Sequence, residues 1–218
     1  MTLALFDLDN TLLNDDCDFQ WGQFLIDKGL VDRTVFEETN KRFYEDYRHG
    51  RLDMAAYVAF QVSLLQRRPL EEMERWRQEY LDTRVAAMIL PQARELLADH
   101  AARGHTLVII TATNDFIAAP VAARLGVPHL LATALSIENG RILGPAPRPP
   151  CFQEGKYINL MDWLSQRSET LEGSWFYSDS RNDIPLLERV DHPVAVDPDP
   201  ALRAHAVERG WPVISLRS

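Results

Sequence analysis

Lysine is nearly absent from this chain. Lys28, Lys41 and Lys156 are its only lysines, and arginine supplies the rest of the 23 basic residues. Against them stand 32 acids, giving a formal net charge of −9. That balance argues against nucleic acid or an anionic membrane as the main partner, because both reward clustered positive charge. Cysteine is equally sparse. Cys17 and Cys151 lie far apart and outside any CxxC pattern, so a reduced, cytoplasmic protein is the simplest reading. No apolar run approaches the roughly 20 residues of a membrane span. The opening Met1 to Asp7 has no basic segment and meets carboxylates at once, so no secretory signal is expected there. The histidines show no metal-ligand spacing, and there are no internal repeats or low-complexity tracts. What remains is ordinary globular material: 218 residues, 46% hydrophobic and 25% charged, enough to bury a core without a disulfide or metal staple.

The hydrophobic pattern changes character along the chain. Leu3 to Phe6 is a short apolar run ending in acids, as a buried parallel strand would be. From Asp16 to about Met88 the spacing is helical, in pieces stopped by Gly29, Gly50 and Pro69, and suits amphipathic helices packed as a small bundle. Trp76, Tyr80 and, later, Trp163 read as packing residues, and Arg67-Arg68 as a solvated helix end. After Pro91 strands and helices alternate. Strands are expected at Thr106–Thr111, His129–Ala132, Ser174–Ser178, Pro193–Val196 and Pro212–Ile214, with a hairpin from Leu135 to Leu143 turning at Asn139-Gly140. Helices are expected from Pro91 to Gly104, from an Asn114 cap to Gly126, and over Glu154–Ser168, Asn182–Arg189 and Pro200–Glu208. This predicts an α/β fold: a Rossmann-like, doubly wound parallel sheet with a helical block inserted at its carboxyl edge, where open α/β sheets bind ligands.

Four short stretches carry chemistry. Asp7-Leu8-Asp9-Asn10-Thr11 directly follows the first strand, and its acids at i and i+2 can face one ligand. Thr111-Ala112-Thr113 ends the second strand, where a hydroxyl and a backbone N–H could bind phosphate oxygens. Lys156, after Gly155, opens a helix and would add a point charge beside a helix N-terminus. Asp179 and Asp183, four residues apart at a strand-to-helix junction, could offer oxygens to Mg²⁺. Taken singly, each also reads as a solvated loop, a surface lysine or helix-start chemistry. Their order, each after a separate strand of one sheet, is what distinguishes them.

That order resembles the four motifs of haloacid dehalogenase (HAD) superfamily phosphatases over the whole chain. The helical block, with Gly50-Arg51-Leu52-Asp53-Met54 followed by Val62-Ser63-Leu64-Leu65, is similar to the C1-type cap of the phosphoserine phosphatase-like subfamily IB. The resemblance implies a core of residues 1–14 and 89–218 with a cap of 15–88. It implies Asp7 as nucleophile and Asp9 as acid and base. Mg²⁺ would be held by the Asp7 carboxylate, the Asp9 carbonyl and Asp179, with Asp183 in support. Phosphate would be bound by Thr111, Lys156, Asn182 and the N–H groups of Leu8, Asp9 and Ala112. Asp9 itself favours phosphoryl chemistry, since true dehalogenases do not need the second acid. The partner would be a small-molecule phosphomonoester.

Two departures bear on substrate and loop geometry. Asp16 stands near the family's cap-linker Glu, but Ala59-Phe60-Gln61, matching the stretch that carries a carboxylate-binding Arg, has no basic side chain. An acid without its cationic partner suggests an amine-bearing ester lacking a carboxylate, an amino-alcohol phosphate, with Asp16 and Met54 as specificity residues. The alternative is that Asp15, Asp16 and Asp18 only cap the first cap helix. Ser178 and Ser180 replace frequent family glycines. Phosphoserine hydrolysis proper and phosphoryl transfer to an alcohol are the rival activities. A receiver-like signalling module fits poorly, because its acceptor Asp lies on a middle strand and no helical insert follows strand one.

Overall fold

Leu3, Ala4, Leu5 and Phe6 are all fully buried, on both sides of the strand they form. This is β1 (Leu3–Phe6), and a strand buried on both faces needs neighbours on both edges and layers above and below. It pairs in parallel with β2 (Thr106–Asn114) on one side and β6 (Trp175–Ser178) on the other. The six-stranded sheet runs β3 (His129–Thr133), β2, β1, β6, β7 (His192–Val196), β8 (Val213–Ile214), with every pairing parallel. The computed structural model describes residues 2–66 and 68–217. Arg67, read above with Arg68 as a helix end, lies outside the described residues.

Alternation along the strands divides the core in two. Leu3 and Leu5, with Val108, Ile110 and Phe176, face Leu160 of α8 (Glu154–Leu164), Leu186 of α9 (Ile184–Leu187) and Leu202 of α10 (Pro200–Arg209). Ala4 and Phe6, with Ile109 and Tyr177, face Ala93 and Leu97 of α6 (Pro91–Ala102) and Ile117 and Val121 of α7 (Asp115–Leu125). Each fully buried Leu contributes about 1.5–3 kcal/mol, so the sheet is fastened from both faces. The doubly wound expectation holds.

Between β1 and β2 comes the helical insert: α1 (Cys17–Asp27), α2 (Arg33–Arg48), α3 (Met54–Leu65), α4 (Leu70–Tyr80), a π-helical turn Leu81–Val85, and α5 (Ala86–Met88). Asp16, Asp32 and Asp53 cap α1, α2 and α3, each accepting the N–H three residues on. Gly22 lets the Phe36 ring lie directly on α1, since a Cβ there would sit 1.9 Å from Phe36 Cζ. The strands entering and leaving the insert run side by side: Leu13 bridges Ile89, Asn14 N donates to Met88 O at 2.9 Å, and Leu90 N to Leu12 O at 3.2 Å. A separate hairpin, β4 (Leu135–Glu138) and β5 (Arg141–Pro145), turns at Asn139 and Gly140 with φ of 49° and 69°, the paired positive angles of a two-residue turn. Its Gly140 carbonyl accepts from Leu70 N at 3.0 Å, bracing α4.

Several boundaries differ from expectation, most by one or two residues and a few by more. β2 continues past Thr111 to Asn114, because its register slips against β3 between Ile110 and Asn114 rather than ending. The helix from Glu154 stops at Leu164, where Ser165 turns its hydroxyl back onto the Asp162 carbonyl. The stretch from Asn182 to Arg189 is a 3₁₀ turn (Arg181–Asp183) followed by short α9, with Pro185 restarting the helix where a missing N–H is tolerated. The helical piece expected after Pro69 consists of α4, the π turn and α5.

Candidate active site

β1 and β6 are parallel neighbours, so the residues just past their carboxyl ends share one rim. Asp7 follows β1, with its N–H on the Tyr177 carbonyl at 2.9 Å, and Asp179 follows β6. Strand order reverses here, at the crevice where doubly wound sheets place ligands. Thr11 ties the two loops together: its hydroxyl donates to Asp179 Oδ1 and receives Asp179 N, both at 3.1 Å.

Lys156 enters from α8. The loop before it folds so tightly that a Cβ on Gly155 would lie 2.0 Å from the Pro150 carbonyl oxygen; only glycine fits. Lys156 is 2% exposed, so it is no surface lysine. Its Nζ donates to Asp7 Oδ1 at 2.9 Å and to Asp183 Oδ2 at 2.7 Å. Burial alone would lower the ammonium pKa, but Asp183 and Asp7 outweigh it and hold the group charged. Burial pushes the Asp7 carboxyl up, with Lys156 pulling against it. It raises Asp183 to about 6 against the same pull, while the Ser178 hydroxyl also donates to Asp183 at 2.6 Å. Asp179 lies well above the carboxylate range, from burial first and then from the charges of Asp7 and Asp183.

The end of β2 closes another side. Thr111 is buried, and its oxygen accepts Thr113 N at 3.1 Å, leaving its own proton to donate. The Ala112 carbonyl is taken by Thr133 Oγ1 at 2.7 Å. Asp9 is held by two donors, Cys17 N on Oδ1 at 2.7 Å and Thr113 Oγ1 on Oδ2 at 2.6 Å. Asn182 accepts from Gln153 Nε2 at 3.0 Å and donates from Nδ2 to Ser180 Oγ at 3.3 Å.

Above this rim lies a cavity of about 660 Å³, within the ordinary size of a small-ligand site. Asp7, Asp9, Thr111, Ala112, Lys156, Asn182 and Asp183 line it from the sheet, and Asp16 and Met54 from the insert. Leu8 is buried beneath it, and Asp179 stands beside Asp7 without lining the cavity wall. Asp16 does cap α1, through Oδ1 to Phe19 N at 2.9 Å. Its carboxyl is raised to about 7 by burial first and by Asp9 next. Asp15 takes Asp16 N and the Gln20 amide, whereas buried Asp18 accepts Asn114 Nδ2 at 2.8 Å. Tyr47 of α2 donates to Ser180 Oγ at 2.7 Å, joining the insert to the loop after β6. The two serines therefore serve as acceptor and donor: Ser180 for the insert, Ser178 for Asp183.

Thr11, Tyr47, Thr113 and Asn114 were not singled out by the sequence reading as site residues. Thr113 had a signal, standing two residues from Thr111 and so on the same side of an extended chain. Tyr47 had none beyond its helix spacing.

Among the described residues no group of three or more His, Cys, Asp and Glu side chains is gathered as a ready metal site. The set implied above needs only two carboxylates and a backbone carbonyl, and the residues present fit it. Asp179 is crowded by Asp7 and Asp183 in a buried place where one further positive charge would relieve all three.

The haloacid dehalogenase-like hydrolase family matches residues 4–188. A histidinol-phosphatase of Neisseria meningitidis is 42% identical over 99% of this chain and 99% of its own length. A phosphoserine phosphatase of Mycobacterium tuberculosis is 30% identical over 98% of this chain and 70% of its own. A crystal structure of a Bordetella pertussis protein of unknown function has a TM-score of 0.92 at 38% identity, covering 99% of this chain and 100% of that one. A phospho-aspartyl intermediate analogue of phosphoserine phosphatase has a TM-score of 0.71 at 19% identity, covering 99% and 93%, a likeness of fold alone. The chain belongs to the haloacid dehalogenase-like hydrolase family. Within it the protein is a phosphatase, of the phosphoserine phosphatase-like kind. No helix among the described residues is long and apolar enough to cross a membrane.

Proposed function

We propose that the protein is a magnesium-dependent phosphomonoester hydrolase that passes the phosphoryl group of a small, amine-bearing metabolite to Asp7 and then to water. One observation carries this reading: the Lys156 ammonium buried against Asp7 and Asp183. A cation held on a buried carboxylate favours its ionised form, which a nucleophile requires. In this reading Asp9 protonates the leaving oxygen and then takes a proton from the attacking water. Thr111, Lys156, Asn182 and the N–H groups of Leu8, Asp9 and Ala112 hold the phosphoryl oxygens. Asp7, Asp179 and the Asp9 carbonyl would hold Mg²⁺, with Asp183 behind them; when bound, the ion offsets the charge of carboxylate and phosphate and stabilises the transition state. Residues 15–88 act as a cap over a core of 1–14 and 89–218, pivoting on the paired segments around Leu13 and Ile89.

The amine preference rests on the insert's side of the cavity. Asp15, Asp16, Asp18 and Glu37 line it, and among the described lining residues Lys41 is the insert's one cation. Capping α1 engages Asp16 Oδ1. The Neisseria relative is named for histidinol phosphate, an ester of that chemistry, with an amine and no carboxylate. Exposed Lys41 supports the rival reading, a phosphoserine phosphatase, since it could meet a carboxylate.

Hydrolysis of an aryl phosphate, with and without Mg²⁺, tests the chemistry. Activity should need the ion and fall by about 10³-fold or more in Asp7→Asn; substantial turnover by that variant would overturn the nucleophile assignment. A substrate panel tests the rest: amino-alcohol phosphates should be preferred, and a clear preference for phosphoserine would favour the rival.

A further inference from the structure

Both oxygens of Asp9 are engaged, by donors of different kinds. Oδ1 accepts the backbone N–H of Cys17 at 2.7 Å, and Oδ2 the hydroxyl of Thr113 at 2.6 Å. A peptide N–H can only donate, so Oδ1 is held as an acceptor whatever the charge on Asp9. A carboxylate oxygen keeps another lone pair beside the one that a hydroxyl engages, so Oδ2 can gain and lose a proton without losing its partner. We propose that Thr113 is a positioning residue for Asp9, holding its carboxyl group in one orientation for proton transfer to and from the substrate. The proposal rests on the reading of Asp9 as acid and base.

The local fold puts Thr113 there and braces it. Between Ile110 and Asn114 the register of β2 against β3 slips, so Thr111 to Thr113 form no regular ladder with β3. Thr133 Oγ1 instead holds the Ala112 carbonyl at 2.7 Å. Thr113 N is fixed on Thr111 Oγ1 at 3.1 Å. On the other side Asn114 caps α7 through Ile117 N at 3.2 Å and donates to Asp18 at 2.8 Å. The Thr113 backbone is thereby tied independently of its hydroxyl, which is left to Asp9.

The proton balance follows. In the first half-reaction an Asp7 oxygen bonds to phosphorus as the ester P–O bond breaks, and the proton on Asp9 Oδ2 goes to the departing alkoxide. In the second, a water oxygen bonds to phosphorus as the Asp7 O–P bond breaks. One water proton goes to Oδ2, releasing inorganic phosphate and restoring the starting state. Thr113 donates to Oδ2 throughout, and the exchanged proton uses the other lone pair of that oxygen.

The test compares wild type with Thr113→Val, which keeps the shape and removes the hydroxyl, and Thr113→Ser, which keeps the hydroxyl; Thr113→Ala stands in if the valine variant fails to fold. Expected for Thr113→Val is a fall of about 10–100-fold in kcat/KM for an alkyl phosphate, a fraction of what general acid–base catalysis supplies. For nitrophenyl phosphate kcat/KM should change little, because its leaving group needs little protonation. Its kcat should fall, and acid-quenched phosphoenzyme should accumulate. Thr113→Ser should restore all three. Parallel losses of kcat/KM on both esters, a change in KM alone, or no rescue by serine would overturn the proposal. Asp9→Asn separates the two levels. Wild-type turnover of the alkyl ester by Asp9→Asn sinks the reading of Asp9 itself, whereas an impaired Asp9→Asn beside an unimpaired Thr113→Val sinks only the role of Thr113.

Discussion

The two walls of the cavity are built on different principles. The sheet wall consists of side chains placed by strand ends, and its polar atoms are cross-tied over long sequence distances: Lys156 to Asp7 and Asp183, Thr11 to Asp179, Thr113 to Asp9. The insert wall consists of acids and aromatic rings on helix starts and faces, tied mostly to their own neighbourhood, as Asp16 is to Phe19 N and Asp15 to Gln20. A cross-tied wall has one geometry and suits a reaction that every substrate shares. A wall of locally held groups can change its lining without disturbing the sheet, and suits choosing among substrates.

Three variants can break or sharpen that contrast. The largest effect is expected from Lys156→Met, which leaves Asp7 and Asp183 buried without their counter-charge. Activity should drop on the order of 10²–10³-fold, equally for aryl and amine-bearing esters; a loss confined to one substrate class would move Lys156 to the selecting side. Next comes Asp16→Asn. Asn caps a helix about as well as Asp, so α1 should persist, while KM for an amine-bearing ester rises about 10-fold through loss of one charge contact and the aryl ester is unaffected. The pH dependence has a definite sign. Burial, then Asp9, hold the Asp16 carboxyl up at about 7, so protonation below that pH removes the charge. Wild-type KM for the amine ester should therefore rise as pH falls through about 7, and the variant's should stay flat; a flat wild-type profile in steady-state kinetics would exclude Asp16 from recognition. The smallest effect is expected from Tyr47→Phe, which removes one hydrogen bond to Ser180. At about 0.5–1.5 kcal/mol for such a bond, KM should rise a few-fold for all substrates, with kcat for the aryl ester little altered.

Legibility differed between the walls in the same way. Asp7, Asp9, Thr111 and Asp179 could be read because each stands in or just past the carboxyl-terminal part of a buried parallel strand, and such strands bring these positions to one rim; Lys156 instead opens a helix after the separate hairpin. The unbroken apolar run of Leu3, Ala4, Leu5 and Phe6, buried throughout, and the Asn139-Gly140 turn were equally local signals. Thr11 and Tyr47 gave no such signal, since their partners stand 168 and 133 residues away. The caps at Asp32 and Asp53 are ordinary local chemistry; the meeting of Asp18 with Asn114, 96 residues apart, is not. Nor could spacing reveal that β2 slips register past Ile110, because a slip depends on what the neighbouring strand offers.

The amino-acid sequence by itself determined the alternation of buried strands and amphipathic helices, the helical interruption after β1, and the acids, threonine and lysine that end up at the rim, since hydrophobic period and turn chemistry act over a few residues. Only the tertiary structure decided which donor each acceptor would keep: Lys156 buried between two acids, Thr113 on Asp9, Tyr47 on the Ser180 hydroxyl after β6. Those choices depend on distances between segments far apart in the chain, and such distances exist only once the sheet is packed on both faces and the insert has settled against its edge.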